Sequence, residues 1–599
     1  MATGTDIGHH IWLTKYRYQP PGGPPEADIQ ASWRRVAQAV AAVEPSEQQT
    51  WAERFYALLE GFRFLPGGRI LAGAGTAHRV TLFNCFVMGV IEDSLDGIFD
   101  ALKQGALTMQ QGGGVGYDFS TLRPAGKRAQ STGMIASGPV SFMRIWDSAC
   151  ATLLSTGMRR GAMMATLRCD HPDIEAFVAA KADPRELRHF NLSVQVTGDF
   201  MAALAADADW PLVFPDAGAG EAVERNWPGQ NGPVRCRVHR RLPARVLWRQ
   251  IMEATYRYAE PGVLFIDRIN RFNNLGYREH ISATNPCGEI PLPPYGACNL
   301  GSLNLPRFVR APFTSAASLD WPALEAAAAL AVRFLDNVID ASGFPLPQQA
   351  EQARGSRRLG LGVTGLADAL ILLGLRYDSE AGRTLAAEVL RRLRDTAYAA
   401  SCNLAQEKGP FPFFDRDRYL DGDYVATLPP AIRNAIASQG LRNSHLLAIA
   451  PTGTISLLAG NVSSGIEPVY TARHERDVLS SDGQRTRFTL DDWACALWQR
   501  EHEGTPPALV TAHELAPADH LKMQAALQPY VDSAISKTIN VPEYYPFEEF
   551  CQLYQLAYDW GLKGCTTFRP NPVTGAILGP DSGDSGEASH CCHVEREGD

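Results

Sequence analysis

Residues 284–305 read TNPCGEIPLPPYGACNLGSLNL, a Pro- and Gly-rich stretch that carries the strongest chemical signal in the chain. Asn285, Cys287 and Glu289 stand at alternate positions, and Cys298 follows eleven residues after Cys287. Alternate residues of an extended strand point the same way, so the side chains of Cys287 and Glu289 are predicted to share one face. Taken alone, the pattern is compatible with a disulfide, half of a zinc site, a nucleophilic cysteine or a radical cysteine.

Composition indicates an ordinary soluble protein with a large core. The 599 residues are 45% hydrophobic and carry a net charge of -9, which argues against a dedicated binder of nucleic acid polymers. The N-terminus lacks a signal-peptide pattern, and no apolar run reaches the roughly 18 residues that a membrane helix needs. The prediction is a cytoplasmic protein without a membrane segment. Its 12 cysteines are too few for a disulfide scaffold.

Three segments follow from hydrophobic periodicity and composition. Residues 1–60 are predicted to be an N-terminal helical segment, because 31–44 and 50–62 carry apolar residues at helical spacing. Residues 61–570 alternate short apolar stretches with long amphipathic helices, which indicates one large α/β catalytic domain. Residues 571–599 are rich in Gly, Ser, Asp and Glu and are predicted to be a flexible tail.

Two glycine-rich motifs need separate interpretations. The motif 360-GLGVTG-365 follows the polar GSRR instead of a buried strand, so we predict a tight turn before a helix and not a dinucleotide fold. The run 111-QGGGVG-116 has no following Lys-Ser/Thr pair and is no P-loop. Its dense glycines predict a loop that approaches a ligand closely.

A third motif, 451-PTGTIS-456, follows an apolar strand and precedes a helix-like stretch. Successive amides at such a turn, with Thr and Ser hydroxyls beside them, suit a phosphate. Hydroxyl capping of the helix is the structural alternative.

Three kinds of site can be compared for residues 284–305. A zinc site would need about four ligands from close pairs, which the spacing of Cys287 and Cys298 does not provide, and no metal ligand is assigned. A hydrolytic cysteine with a distant histidine stays open, but it leaves Asn285, Glu289 and the second cysteine unexplained. A redox site with a reactive cysteine, a carboxylate base and a second cysteine as reductant uses every member of the set.

Several motifs in series resemble the catalytic subunit of ribonucleotide reductases. They are 83-FNCFVMGVIEDSLDGIF-99, 159-RRGAMMATLRCDHPDIEAF-177, Asn285-Pro-Cys-Gly-Glu289, ACNLGSLNL and PTGTIS, and their order matches over roughly residues 60 to 570. The resemblance implies an α/β fold, a ten-stranded α/β barrel behind the N-terminal helical segment, with Cys287 on a central finger loop.

The resemblance also implies a role for each residue of the site. Cys287 would carry a thiyl radical that takes the 3′ hydrogen of a ribonucleotide, Glu289 would accept the 3′ hydroxyl proton and Asn285 would bind the substrate. Cys85 and Cys298 would supply the reducing equivalents and end as a disulfide. Taken alone, Cys85 is more typical of a small buried residue, and the other motifs reverse that interpretation. The substrate would rest on Asn84, Gly113, Gly114, Gly116, Thr452, Gly453, Thr454, Ile455 and Ser456.

The way the radical is made separates the classes of this family. The class supplied by a metal-containing partner subunit has a Tyr-Tyr pair near the end of the barrel, where this chain reads 561-GLKGCTTFRPNP-572. Its only such pair, Tyr544-Tyr545, lies earlier, and we find no glycyl-radical motif. The chain resembles the adenosylcobalamin-dependent class, which reduces nucleotides for DNA synthesis, with diphosphates as the expected substrates. A subunit that needs a metal-containing partner, or a regulator without catalysis, are the alternatives.

The resemblance also implies an effector site and a route for reducing the active-site disulfide. The short N-terminus leaves no room for the family's ATP cone, but a specificity site for a dNTP or ATP with Mg²⁺ is implied at the interface of a homodimer. It would comprise Asp93, Ser94, Leu95, Arg123, Lys127, Arg128, Arg159 and Arg160. Lys127 and Arg128 also fit solvated surface charges. In the tail, Cys591 and Cys592 would shuttle electrons from thioredoxin or a similar dithiol, with an incidental tail as the alternative.

Overall fold

The computed structural model describes residues 7–127, 135–154, 162–216, 218–479 and 485–570. Its strands are β1 (Phe64–Pro66), β2 (Cys85–Val87), β3 (Gly114–Asp118), β4 (Met163–Arg168), β5 (Phe190–Val196), β6 (Asp209–Pro215), β7 (Ala222–Asn226), β8 (Pro233–Pro243), β9 (Gly262–Phe265), β10 (Ala283–Thr284), β11 (Pro291–Leu292), β12 (Ala297–Asn304), β13 (Val309–Arg310), β14 (Ser318–Leu319), β15 (Leu359–Thr364), β16 (Arg473–Leu479), β17 (Arg485–Asp491), β18 (Thr538–Asn540) and β19 (Gly564–Phe568).

The α-helices alternate with these strands along most of the chain. They are α1 (Ile7–Ile11), α2 (Ile29–Ala41), α3 (Gln48–Leu59), α4 (Gly68–Gly73), α5 (Leu95–Gln110), α6 (Pro139–Leu154), α7 (Ile174–Val178), α8 (Gly198–Ala205), α9 (Ala244–Tyr258), α10 (Ile266–Arg271), α11 (Trp321–Ala341), α12 (Pro347–Ser356), α13 (Leu366–Leu372), α14 (Glu380–Lys408), α15 (Arg416–Leu420), α16 (Pro430–Gln439), α17 (Gly453–Leu458), α18 (Trp493–Trp498), α19 (Pro517–Leu527) and α20 (Phe547–Asp559).

The N-terminal segment is helical, as its periodicity predicts. Helix α2 begins after Asp28, whose side chain accepts a hydrogen bond from the Ala31 amide, and α2 packs on α3. Glu44, just after α2, is buried. Its carboxylate forms salt bridges with Arg333 of α11 (2.8 Å) and Lys408 of α14 (3.0 Å). These contacts hold the helical segment against the larger domain.

One half of that domain is a five-stranded parallel sheet. Strands β2, β3, β4, β5 and β9 pair in this order, each parallel to the next. Strand β4 is buried along its whole length. Parallel strands covered on both faces are expected to be apolar throughout, as this one largely is.

A second parallel half closes the sheet into a ring. Strand β12 is parallel to β15, Leu361 bridges to Leu447, Ile449 bridges to Ile535, and β18 is parallel to β19. The halves meet antiparallel at two places: the first seam joins β2 to β12 and the second seam joins β9 to β19. With the segment 446–450 as one strand, the ring has ten strands, so the predicted α/β barrel is confirmed.

The motif 360-GLGVTG-365 has a different structure from the one predicted from its sequence. The predicted tight turn is wrong, because residues 359–364 form strand β15 of the barrel and only Gly365 (φ +71°) turns into α13. A Cβ on Gly362 would lie 2.4 Å from the Ala448 carbonyl oxygen, and one on Gly360 would lie 2.5 Å from Leu300 Cδ2. The glycines therefore allow neighbouring strands to approach closely and form no nucleotide-binding turn.

Several strands lie outside the barrel. Strands β6, β8 and β7 form a small antiparallel sheet, which the sequence analysis does not foresee. In the described part of the chain, no helix is long and apolar enough to cross a membrane.

Candidate active site

A short hairpin of β10 and β11 carries the residues of the opening stretch into the barrel. The base of the hairpin is fixed at the Ser282 carbonyl oxygen, which accepts hydrogen bonds from Thr166 Oγ1 (2.9 Å) and Gln195 Nε2 (2.6 Å). Nearer the tip, Asn191 Nδ2 donates to the Pro286 carbonyl oxygen at 2.7 Å. Strands β4 and β5 thus hold the hairpin along its length.

The opposite half of the barrel contacts the same hairpin. The Ala534 amide, next to the residue that bridges to Ile449, donates to the Glu289 carbonyl oxygen at 2.9 Å. The hairpin is therefore fixed between the two halves, as the resemblance predicts for the finger loop.

Glycines of β3 make room for the hairpin. A Cβ on Gly116 would lie 1.9 Å from the Thr284 carbonyl oxygen, and one on Gly114 would lie 3.2 Å from Pro286 Cγ. The run 111-QGGGVG-116 thus approaches the chain's own finger loop, and its predicted contact with a ligand stays a prediction.

The tip of the hairpin is a tight turn that exposes one cysteine. The Gly288 amide donates to the Asn285 carbonyl oxygen (3.2 Å), and Gly288 has φ +85°, a backbone conformation that favours glycine. Asn285 Oδ1 accepts from the Ile290 amide at 3.0 Å, which locks the return of the turn. Asn285 and Glu289 are buried, whereas Cys287 is half-buried.

The first seam places two cysteines opposite each other. Cys85 on β2 and Cys298 on β12 are register partners, and directly opposed residues of antiparallel strands are close enough for a disulfide. Asn285 Nδ2 donates to Cys85 Sγ at 3.2 Å, and the Cys85 thiol lies 3.9 Å from Glu289 Oε1. The structure therefore brings together Cys85, Asn285, Glu289 and Cys298, with Cys287 on the same turn.

The burial of this site raises the pKa of its acidic groups. Burial raises the pKa of Glu289 to about 7, so the carboxyl group can exchange a proton near neutral pH. Burial, with the Glu289 charge beside it, also raises the pKa of Cys85 well above its ordinary value, and burial raises that of Cys298. Both cysteines are therefore held as thiols, the form that can give up hydrogen.

Residues 452–456, at the start of α17, lie near the end of β15 among buried hydroxyls. Thr452 has φ +55°, and its Oγ1 accepts from the Gly465 amide (2.8 Å) and lies 2.8 Å from Thr364 Oγ1. Ser456 Oγ lies 3.0 Å from the same threonine oxygen. Thr452 makes no side-chain cap to α17, so simple N-capping does not explain the motif.

The predicted effector residues gather at the start of α5. Ser94 caps this helix by accepting from the Gly97 amide at 3.0 Å, and Arg123 pairs with Asp93 at 2.8 Å. Lys127 pairs with Asp216 at 3.2 Å. Leu95 is 64% exposed. Arg128, Arg159, Arg160, Cys591 and Cys592 lie outside the described residues.

Further polar residues of the site have different signals in the sequence. Asn84, which the resemblance names, is buried beside Cys85, and neither of its side-chain polar atoms has a hydrogen-bond partner among the described residues. Glu289 Oε2 is likewise unpartnered. Buried polar groups are normally satisfied, so these atoms fit a ligand. Asn191 and Gln195, which hold the hairpin, could have been found only as polar residues in a buried strand.

Comparisons with known proteins agree with this geometry. A family model described as "Ribonucleotide reductase, barrel domain" matches residues 83–568, and one described as "Ribonucleotide reductase, all-alpha domain" matches residues 3–79. A ten-stranded barrel with cysteines on its finger loop and at its seam is the architecture of a radical reductase. The chain belongs to the ribonucleotide reductase family.

Three relatives make the comparison more specific. The "Vitamin B12-dependent ribonucleoside-diphosphate reductase" of Mycobacterium tuberculosis (strain CDC 1551 / Oshkosh) is 42% identical over 91% of this chain and 76% of its own length. The protein of that name from Thermoplasma acidophilum is 36% identical over 88% of this chain and 66% of its own length. The "Vitamin B12-dependent ribonucleotide reductase" of Streptomyces clavuligerus is 28% identical over 88% of this chain and 60% of its own length.

Proposed function

We propose that this chain is a cytoplasmic, adenosylcobalamin-dependent reductase of ribonucleoside diphosphates, which makes deoxyribonucleotides for DNA synthesis. The observation that carries the proposal is the hairpin that sets Cys287, Asn285 and Glu289 against the opposed cysteines of the first seam. The names of the relatives at 42% and 36% identity support the cofactor and the diphosphate. They do not favour a subunit that needs a metal-containing partner.

The residues of the site suffice for a balanced reaction. A thiyl radical on Cys287 takes the hydrogen atom from C3′, and the Glu289 carboxylate accepts the 3′ hydroxyl proton. The 2′ hydroxyl leaves as water with a proton from the cysteine pair. Cys85 and Cys298 supply two electrons and the hydrogen that replaces the hydroxyl at C2′, and they close a disulfide. Glu289 returns the proton to the 3′ oxygen, and Cys287 returns its hydrogen to C3′. A base with a pKa of about 7 suits proton transfer in both directions.

Two features support the cofactor assignment: the accessibility of Cys287 and the environment of Tyr544. When bound, adenosylcobalamin supplies a carbon-centred radical through homolysis of its cobalt–carbon bond. Cys287 fits as the residue oxidised, because it is half-buried while Cys85 and Cys298 are buried. Tyr544 of the Tyr-Tyr pair is 89% exposed, an environment unlike that of an electron-transfer relay shielded from water.

Substrate binding is assigned to the groups around the first seam and the end of β15. The Asn84 carboxamide and Glu289 Oε2 have no hydrogen-bond partner in the described part of the chain, and they fit ribose hydroxyls. The loop Thr452–Ser456 would hold the phosphates, since the start of a helix among hydroxyl groups favours an anion. Gly113, Gly114 and Gly116 would contact the sugar.

The effector site and the dimer are proposed together. Arg123 and Lys127, with Arg128, Arg159 and Arg160, would bind the phosphates of a dNTP or ATP with Mg²⁺, and Asp93, Ser94 and Leu95 would contact the nucleoside. Leu95 and Phe99, 64% and 51% exposed, lie one turn apart on α5 beside this site. An exposed apolar pair of this kind fits the interface of a homodimer.

Re-reduction of the disulfide is assigned to the tail. Cys591 and Cys592 would carry electrons from thioredoxin or a similar dithiol to the Cys85–Cys298 pair. A tethered thiol has an effective concentration of roughly millimolar order, which compensates for the burial of the pair.

The test uses the purified chain alone, assayed for reduction of CDP and CTP with and without adenosylcobalamin. Product from CDP only with the cofactor is the expected result. Activity that needs an added protein subunit would contradict the cofactor assignment, and a preference for CTP would contradict the diphosphate. Cys287→Ser is the matched control and is expected to bind nucleotide and form no product.

A further inference from the structure

The two sulfurs of the first seam lie in different surroundings. Cys85 Sγ faces the finger loop, with Asn285 Nδ2 at 3.2 Å and Glu289 Oε1 at 3.9 Å. Cys298 Sγ faces backbone, with the Asn299 carbonyl oxygen at 3.2 Å and the Arg358 carbonyl oxygen at 3.8 Å. The pair is therefore asymmetric, although its members are opposite each other in register.

We infer that a dithiol opens the Cys85–Cys298 disulfide by attacking Cys85, that Cys298 is the sulfur that leaves, and that Arg358 is the positioning residue for this direction. The inference rests on the proposed function, because it concerns the disulfide which that function forms. It adds the order of bond breaking, which the reaction scheme leaves open.

The two sulfurs differ in how accessible they are to an attacking thiolate. Thiolate attack on a disulfide needs an approach in line with the sulfur–sulfur bond, from the far side of the attacked sulfur. On the far side of Cys298 lies the backbone of β15, where a Cβ on Gly360 would be only 3.3 Å from Cys298 Sγ. On the side of Cys85 that faces the finger loop lie the side chains of Asn285 and Glu289, which can rotate aside more easily than the backbone of a paired strand can move.

The two sulfurs also differ in the charged groups that would act on a leaving thiolate. A leaving thiol departs faster when its thiolate is stabilised. Burial raises the pKa of both cysteines and the Glu289 carboxylate adds to both rises, but the Arg358 guanidinium opposes the rise in the pKa of Cys298.

Arg358 is held in place for this role. It is 1% exposed, its Nη2 pairs with Glu279 and its Nε donates to His445 Nδ1 at 3.1 Å. Its Nη1 has no hydrogen-bond partner in the part of the chain that the structure describes. Burial and the nearby Arg358 cation hold the pKa of His445 well below its usual value, so this neighbour stays neutral. A buried guanidinium acts on a nearby thiolate more strongly than it would in water, so Arg358 can stabilise the charge on Cys298.

The step balances as ordinary thiol–disulfide exchange. The incoming thiolate forms a bond to Cys85 Sγ as the Cys85–Cys298 bond breaks, and the electron pair leaves on Cys298, which then takes a proton. The second thiol of the dithiol attacks the incoming sulfur, releases Cys85 as a thiol after protonation and ends as the oxidised dithiol. Two electrons pass from the dithiol to the enzyme.

The experiment traps the intermediate on the wild-type chain. Enzyme oxidised by one turnover is mixed briefly with 2-mercaptoethanol, quenched with N-ethylmaleimide and mapped by mass spectrometry. The expected result is mercaptoethanol on the Cys85 peptide and maleimide on the Cys298 peptide. The reverse pattern, or equal labelling of both cysteines, would overturn the inference while leaving the proposed function intact. Enzyme with no disulfide after turnover would overturn both.

Charge at position 358 is tested in the same assay. Arg358→Met is expected to slow disulfide opening about tenfold and to increase labelling at Cys298, and Arg358→Lys is expected to stay within about twofold of wild type. A merely structural Arg358 would affect the two variants without moving the label. Unchanged rate and labelling in Arg358→Met would remove the residue from the mechanism, and the wild-type mapping stands even if that variant does not fold.

Discussion

The two seams of the barrel have the same topology and different chemistry. At the first seam Cys85 is opposite Cys298, and at the second Cys565 is opposite Val263. Cys565 is as buried as Cys85, and burial raises its pKa too. The difference is that the finger loop reaches the first seam, with Asn285 and Glu289 beside Cys85, while Cys565 has a valine for a partner. A buried cysteine becomes a redox group through its neighbours.

The largest expected effect separates the two seams directly. Cys85→Ala should lower multiple-turnover activity by at least about a thousandfold, because it removes half of the reducing pair. The matched Cys565→Ala replaces a small buried residue with another and should keep activity within about twofold. Steady-state assays of both variants check the comparison, and equal losses would erase the distinction between the seams.

The first seam also has to be reached by a reductant, and the second does not. Cys591→Ser combined with Cys592→Ser should stop the reaction after about one product per active site when thioredoxin is the donor. Dithiothreitol, small enough to enter the barrel, should still support multiple turnovers. Rapid-quench counting of product with each donor is the measurement, and normal turnover with thioredoxin would show that the tail is not needed.

Glu289 is the acid that distinguishes the environment of Cys85. Glu289→Gln should lower kcat by about 10²- to 10⁴-fold, because the amide cannot accept the 3′ hydroxyl proton, and should leave nucleotide binding nearly unchanged. In the wild type, kcat/KM should rise with pH through about 7 as the carboxylate forms. Full activity of the variant at any pH would exclude Glu289 as the base.

Glycines test how closely each seam region is packed. A Cβ on Gly116 would lie 1.9 Å from the finger-loop carbonyl of Thr284, so Gly116→Ala should displace the loop and lower kcat by about 10- to 100-fold. A Cβ on Gly262 of β9 would meet the side-chain hydroxyls of Ser193 and Thr566 at 3.2 and 3.3 Å, which can move aside. Gly262→Ala should stay within about threefold of wild type, and similar kinetics for the two variants would argue against the finger contact.

The smallest expected effect is on stability. The pKa of Glu289 is raised from 4.5 to about 7 in the folded chain, so the folded state binds more protons and loses stability as pH rises between these values. Glu289→Gln removes this loss and should gain up to about 3 kcal/mol relative to wild type on going from pH 5 to pH 8. Urea denaturation at both pH values is the check, with a pH-independent difference as the contrary result.

Much of the fold and of the cysteine set could be predicted from the sequence. The helices over 31–44 and 50–62 have clear periodicity. The barrel could be predicted because the motifs occur in the same order as in ribonucleotide reductases. The interpretation of 360-GLGVTG-365 was wrong, because glycine is a turn signal locally and a close-packing device between strands. No local pattern could assign Arg358 to Cys298, since their proximity depends on the pairing of β12 with β15.

The closure of the ring also has a consequence for the order of folding. Strands β2, β3, β4 and β5 pair with their neighbours in sequence, whereas the first seam joins segments that are far apart along the chain. Pairings of that kind carry the largest loop-closure entropy and form late. Cys85 and Cys298 therefore meet only when the two halves dock, and until then a nascent chain holds its reactive thiols on separate pieces. Maturation of the chain and assembly of its redox pair are one event.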